Sequence, residues 1–366
     1  MSPLVIEGRI GEAGRTVAIK DSVDVAGWPT RCGSRAFEHA ASAQDHATVV
    51  KALLDDGWQI IGKTVLHELA FGVTGINEWA GTPVNPQAAD RIPGGSSSGS
   101  AVIAAQGRVD VALGTDTGGS VRMPAACCGV FGLKPSFGRL SRHGVYPASS
   151  SLDVVGPMAR HLEMIVAAMI SMDSTFSTHK PLGQLRAGLV DVSCDPAIEE
   201  AIRDEVVRRG WAWEVVKLPL LDQAFEAALT VINAETWAAY GHYTGQGLLG
   251  SDVEARLLSA AKTDAVALQA ADSVRVAFSE QVDRLLERFD TLVLPSLPRL
   301  PPLLVDVQKG ESVIDLTRFL RPFNLSGHPA LSVPIPYPGS SLKTSLQLIG
   351  SRGEDARLCA IADTFL

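Results

Sequence analysis

Long apolar runs are missing from this chain. No stretch approaches the ~20 residues that span a bilayer. The compact apolar segment Met164 to Met172 is far shorter and begins directly after Glu163. Met1 to Arg15 carries Glu7, Arg9, Glu12 and Arg15 and lacks the apolar core of a secretory signal. Cysteine is scarce, with five residues at 32, 127, 128, 194 and 359. An odd count with an adjacent pair argues against a disulfide framework and for a reducing, cytoplasmic setting. Neither CxxC nor HExxH occurs, and the eight histidines are scattered, which argues against a metal centre. Lys/Arg-rich runs are also lacking and the net charge is −8, so neither nucleic acid nor membrane is an expected partner.

What remains is ordinary globular material: 366 residues, 46% apolar and 20% charged, enough to bury a large core. Short apolar strands alternate with helical patterns. Thr16 to Ile19, Trp58 to Ile61, Val109 to Gly114, Ala187 to Val192, Glu214 to Leu218 and Asp290 to Pro295 read as strands. Asp45 to Asp56, Ala101 to Gln106, Pro196 to Arg209 and Leu268 to Phe289 read as helices; the last carries Val274, Phe278, Val282, Leu285 and Phe289 on one face. Ser171 to Gly183 is polar and reads as a linker within the domain. Alternation of this kind predicts an α/β layer fold.

Three motifs compete for the chemistry. Gly57-Trp-Gln-Ile-Ile-Gly62-Lys63-Thr64 fits the P-loop pattern. A P-loop is a flexible turn after a strand, whereas here the variable residues are themselves the strand, so Lys63 reads as a strand-end lysine. Gly95-Ser96-Ser97-Ser98-Gly99 fits the nucleophile elbow of α/β-hydrolase esterases, with Ser97 as nucleophile. That elbow needs an apolar strand directly before it, and Asn85 to Pro93 is a proline-containing loop. The third reading pairs this cluster with Gly114-Thr115-Asp116-Thr117-Gly118-Gly119-Ser120-Val121-Arg122. Glycines let a backbone approach a ligand closely, and successive N–H groups can converge on an anion. Thr117, Gly118, Gly119 and Ser120 are therefore candidate oxyanion-hole donors around a nucleophilic Ser120. A serine needs a base, and with no histidine near these loops a lysine is an alternative. The same loops could instead bind phosphate or a nucleotide.

The run from Arg91 to Val145, together with Ala18-Ile19-Lys20-Asp21-Ser22-Val23-Asp24-Val25-Ala26-Gly27, resembles the amidase signature family. So do Ile60-Ile61-Gly62-Lys63-Thr64 and Phe323-Asn324-Leu325-Ser326-Gly327-His328-Pro329-Ala330. The resemblance runs from about Thr16 to Ile170 and again from about Asp290 to Leu366. It implies a single α/β domain over residues 1–366: a large twisted mixed β-sheet covered by helices. A signature core would span about 16–170, a variable helical region about 184–289, and a C-terminal signature segment about 290–366. It implies a catalytic triad of Lys20, Ser96 and Ser120, with Ser96 in a cis peptide relaying a proton, and no metal or organic cofactor. The implied reaction is hydrolysis of a small carboxamide to carboxylate and ammonia; the chain would act as a monomer or homodimer. The glutaminase subunit of a tRNA-dependent amidotransferase carries the same motifs and is the rival from within the family.

Only nineteen residues precede Lys20, so the family's N-terminal helical segment is expected to be largely absent. The compact form resembles indole-3-acetamide hydrolase-like and malonamidase-type enzymes. The resemblance places the pocket at Phe71 to Asn77, with Phe71, Gly72, Val73 and Thr74 touching substrate, and at Leu316 to Phe323. Arg318 and Arg321 are candidates for an acidic substrate group, with solvated surface positions as the default reading of both. Arg122 suits either a substrate carboxylate or a structural pair with Asp116. Cys127, Cys128, His67 and His328 read as structural. Lys20 must be neutral to accept a proton, which predicts that it is buried and that Asp21 and Asp24 turn away from its amine.

Overall fold

The computed structural model describes residues 1–177 and 183–365. Eleven strands form one mixed sheet: β1 (Leu4–Ile10), β2 (Thr16–Lys20), β3 (Gln59–Thr64), β4 (Val111–Asp116), β5 (Phe131–Lys134), β6 (Val154–Ala159), β7 (Arg186–Val190), β8 (Ala212–Val216), β9 (Thr291–Pro295), β10 (Ala330–Pro336) and β11 (Lys343–Ile349). Their order across the sheet is β1-β3-β2-β4-β6-β5-β10-β11-β9-β7-β8. Strands β3, β2 and β4 run parallel, as do β9, β7 and β8, and the remaining pairings are antiparallel.

Both faces of the sheet are covered. Alternate residues of one strand serve opposite cores, as the two-residue period requires: Val293 packs with the helices Thr48–Asp55, Leu162–Met172, Pro196–Arg208 and Asp355–Asp363, whereas Leu292 and Leu294 pack with Leu221–Tyr240 and Ala265–Leu286. Val17, Ala18 and Ile19 of β2 are wholly buried, as befits a strand covered on both faces.

Several expectations need adjustment. The N-terminal stretch, to which the sequence assigned no element, forms β1, because pairing with β3 buries its backbone although Glu7 and Arg9 stay in solvent. Strand β3 continues through Gly62 to Thr64, so Lys63 lies inside it and not at its end. The helix expected from Ala101 begins at Ser98 and takes in part of the Ser/Gly cluster. The long helix expected at Leu268 to Phe289 is Ala265–Leu286, three residues earlier at both ends. The linker expected at Ser171 to Gly183 starts inside the helix Leu162–Met172, and 178–182 lie outside the described residues.

Candidate active site

Two parallel neighbours build the site from their C-terminal ends. Lys20 is the last residue of β2, while Thr115 and Asp116 close β4, and Ile19 is registered against Leu113. Loops leaving such strand ends converge outside the sheet edge, where ligands bind in open α/β sheets. The Lys20 amine is completely buried and donates to Ser96 Oγ at 2.7 Å and Thr115 Oγ1 at 2.8 Å. The two flanking carboxylates are engaged elsewhere: Asp21 Oδ1 lies 2.8 Å from Lys63 Nζ, and Asp24 accepts from Thr30 Oγ1 at 2.6 Å. Burial disfavours the ammonium and pushes Lys20 down from 10.5 to about 8, against the weaker upward pulls of Asp153, Asp116 and Cys32. Thr115 as a second partner of the amine was not foreseen, although it sits in the same Gly/Thr/Ser run.

Ser96 follows a cis peptide bond from Gly95, and its carbonyl accepts from the His67 N–H at 2.9 Å. The next serine faces a different way. Ser97 Oγ lies 3.3 Å from both the carbonyl and the N–H of Thr115 and is wholly buried, so it splices loop to strand. Its own N–H reaches the Ser120 carbonyl at 3.3 Å and ties the two serine loops together. Ser120 lines a cleft of about 210 Å³, and its hydroxyl makes no hydrogen bond among the described residues. Catalytic hydrogen bonds are often long before substrate binds, so the open Ser120 hydroxyl is compatible with a relay through Ser96.

Asp116 holds the Ser120 loop in shape. Its carboxylate accepts from the N–H groups of Gly119 (2.8 Å), Val121 (3.1 Å) and Arg122 (3.3 Å). The Arg122 guanidinium meets it through Nε at 3.0 Å and Nη2 at 2.8 Å, and Asn324 adds Nδ2–H at 2.8 Å. These partners outweigh burial and keep the carboxyl far below its ordinary range. Gly119 is therefore a correction to the expected oxyanion hole: its N–H belongs to Asp116, which leaves those of Thr117, Gly118 and Ser120. Gly119 also sits at φ +111, a backbone region that side chains rarely enter. Arg122 is fully buried and also donates to Gln347, Asn324 and the Leu320 carbonyl, which settles it as a structural arginine.

Phe71, Gly72 and Val73 line the cleft beside Ser120. Gly72 is required there, since a side-chain carbon would lie 1.9 Å from the His67 ring. Thr74 does not line it. Its hydroxyl is buried between His67 Nδ1 (3.2 Å) and the Ile76 N–H (3.1 Å), which corrects its assignment as a substrate contact. The preceding Leu69 and Ala70 adopt φ of 53° and 55°, positions of backbone strain for side-chain-bearing residues. Of the two candidate arginines, Arg318 is held on the surface by Asp222, with both contacts at 2.9 Å. Arg321 lines the cleft. Leu229, Ile232, Asn233, Arg256 and Ser259 complete much of its far wall. They come from Leu221–Tyr240 and Ser251–Ala260, helices in a region with no motif, so nothing in the sequence pointed to them.

The remaining candidates are structural. Lys63 is buried and also donates to the Pro29 carbonyl at 3.0 Å and Thr30 Oγ1 at 2.8 Å, so no phosphate loop exists around it. Cys127 and Cys128 are buried, and burial raises both thiols well above their ordinary range. His67 is held between Thr74 and Asp252, and His328 between Ser326 and Asp283; burial lowers both imidazoles, His328 to about 4. No cluster of three or more metal-ligating side chains occurs among the described residues. No helix among them is long and apolar enough to cross a membrane.

Comparison with known proteins places this geometry in context. The family model described as Amidase matches residues 13–359. The A subunit of glutamyl-tRNA(Gln) amidotransferase from Methanococcoides burtonii is 34% identical, over 96% of this chain and 84% of its own. The solved structure of the corresponding Thermotoga maritima protein superposes with a TM-score of 0.82 at 28% identity, covering 99% of this chain and 87% of the other. A structure described with a vestigial protein complex and the evolutionary origins of an s-triazine catabolic enzyme reaches 0.88 at 27% identity, covering 97% and 83%.

Proposed function

The chain belongs to the Amidase family, and from that premise we propose that it hydrolyses a small carboxamide to a carboxylate and ammonia through an acyl-enzyme on Ser120. It is an amidase, a hydrolase of carbon–nitrogen bonds. The observation that carries the finer reading is the buried Lys20 amine, 2.7 Å from Ser96 Oγ, beside a Ser120 that opens on the cleft.

Ser120 Oγ attacks the amide carbon while its proton passes through Ser96 to neutral Lys20. The N–H groups of Thr117, Gly118 and Ser120 face the developing oxyanion. The proton returns to the departing nitrogen as the C–N bond breaks, which releases ammonia and leaves an ester on Ser120. Water then adds to that ester, gives its proton to the same relay, and frees the carboxylate and the Ser120 hydroxyl. A nucleotide-binding role for the loops is not adopted: the Asp116 carboxylate takes the Gly119, Val121 and Arg122 amides, and the chain's family is one of amidases. The test is ammonia release by the purified chain across aliphatic, aryl-acetic, dicarboxylic and urea-type amides, with Ser120→Ala as the control.

A second reading is favoured by the 34% identity to the Methanococcoides burtonii amidotransferase protein over 96% of this chain. There the chain would act as the glutaminase of a larger assembly. Turnover of free amides by the isolated chain supports the simple hydrolase. Turnover of glutamine alone, and only when further subunits are present, supports the assembly.

A further inference from the structure

We infer that the cleft takes a carboxamide whose acyl part carries a carboxylate, and that Arg321 is the specificity residue that anchors it. This rests on the amidase reading and names the substrate class for it.

Arg321 opens the short helix Arg321–Leu325 and is 6% exposed. It makes no hydrogen bond and no ion pair among the described residues, and its Nη1 is buried without a partner. A buried guanidinium normally finds an acceptor, since leaving its donors unmet carries the desolvation cost of the charge. The other deeply buried arginine near the site, Arg122, has four different acceptor groups. One face of Arg321 is accounted for by the Phe225 ring, whose centroid lies 5.0 Å from the guanidinium carbon. Stacking uses the face and leaves the N–H edge free.

The same residue belongs to the wall of the cleft. Arg321 lines it together with Ser120, and its stem lies against Gly118, where a side-chain carbon would sit 3.1 Å from Arg321 Cγ and 3.4 Å from Nε. The guanidinium thus stands beside the peptide two residues before the nucleophile. Arg256 lines the same cleft, 3.9 Å from its nearest carboxylate at Asp252, and no Asp or Glu lines it. A small, positively charged cleft with an unmet planar donor suits a bidentate carboxylate. Because ammonia is the leaving group, that carboxylate can only sit on the acyl part. Burial, with Arg256 nearby, lowers Arg321 to about 10, and Glu226 offsets this only in part; a bound anion would relieve it.

Succinamate and butyramide test this, since they differ by a carboxylate in place of a methyl. The wild type is expected to favour succinamate in kcat/KM, and Arg321→Met to cut that preference by roughly 10- to 100-fold, mainly through KM, as for the loss of one charged hydrogen-bonded contact. Arg321→Lys should keep part of it. Succinate binding by calorimetry gives an arm independent of turnover and, on the wild type, independent of any variant's folding. Binding that Arg321→Met abolishes supports the inference. Equal use of both amides, or absence of succinate binding to the wild type, overturns it. If neither amide releases ammonia but succinate still binds through Arg321, the amidase reading fails while the anion site stands.

Discussion

Replacing Lys20 with Met removes the amine while keeping a similar stem, and the structure sets the size of the effect. At its ordinary value of 10.5, only about one lysine in three thousand is neutral at pH 7. With the value of about 8 that burial imposes, roughly one in ten is neutral at pH 7 and nine in ten at pH 9. Burial thus raises the competent fraction roughly 300-fold at pH 7. On the proposed relay a proton must leave Lys20 before Ser120 can attack, so the acylation rate should rise with pH, about tenfold between 7 and 9, and level off above. Loss of a positioned acid–base group typically costs ~10²- to 10⁴-fold. Lys20→Met should fall in that range and lose the limb near pH 8. Lys20→Arg should be equally inactive, because a guanidinium stays protonated even where Lys20 is fully buried. The assay is single-turnover acylation from pH 6 to 10, with circular dichroism to check folding. A flat profile, or a folded Lys20→Met at the wild-type rate, would remove Lys20 from the mechanism and leave Ser120 without a base.

Ser120→Ala should abolish turnover, and a fluorophosphonate should modify Ser120 in the wild type. Ser97→Ala should retain substantial activity, since Ser97 is sealed between loop and strand; an adduct mapped to Ser97 by mass spectrometry would contradict this. Asp116→Asn should lose about 3–5 kcal/mol in denaturant unfolding, because it strands the buried Arg122 charge; an unchanged midpoint would show that the pair does not shape the loop. Turnover should fall off with acyl length, since a cleft of about 210 Å³ is below the size that encloses drug-sized ligands. Efficient hydrolysis of long-chain fatty amides with no turnover of compact ones would refute that.

The α/β alternation, the buried strand carrying Lys20 and the two serine loops were legible because each is local. Apolar runs, glycine spacing and motif order need no knowledge of what lies opposite. The middle of the chain gave no such signal: the helices that supply Ile232 and Arg256 are ordinary amphipathic segments, recognisable as cleft walls only once packed. Tertiary structure alone decided how the polar groups pair. The Lys20 amine meets hydroxyls 76 and 95 residues away, and its lowered pKa follows from being enclosed by several chain segments at once. The same closure gave the Gly119 amide to Asp116 and withdrew Thr74 into the wall. Arg318 and Arg321 looked equivalent as neighbours on one stretch. Three residues of chain turn them apart, so that Asp222 holds the first at the surface and the second enters the cleft with its charge unmet. A hydrogen bond depends on two groups meeting within about 3 Å, and residue order does not specify that meeting until the chain has folded.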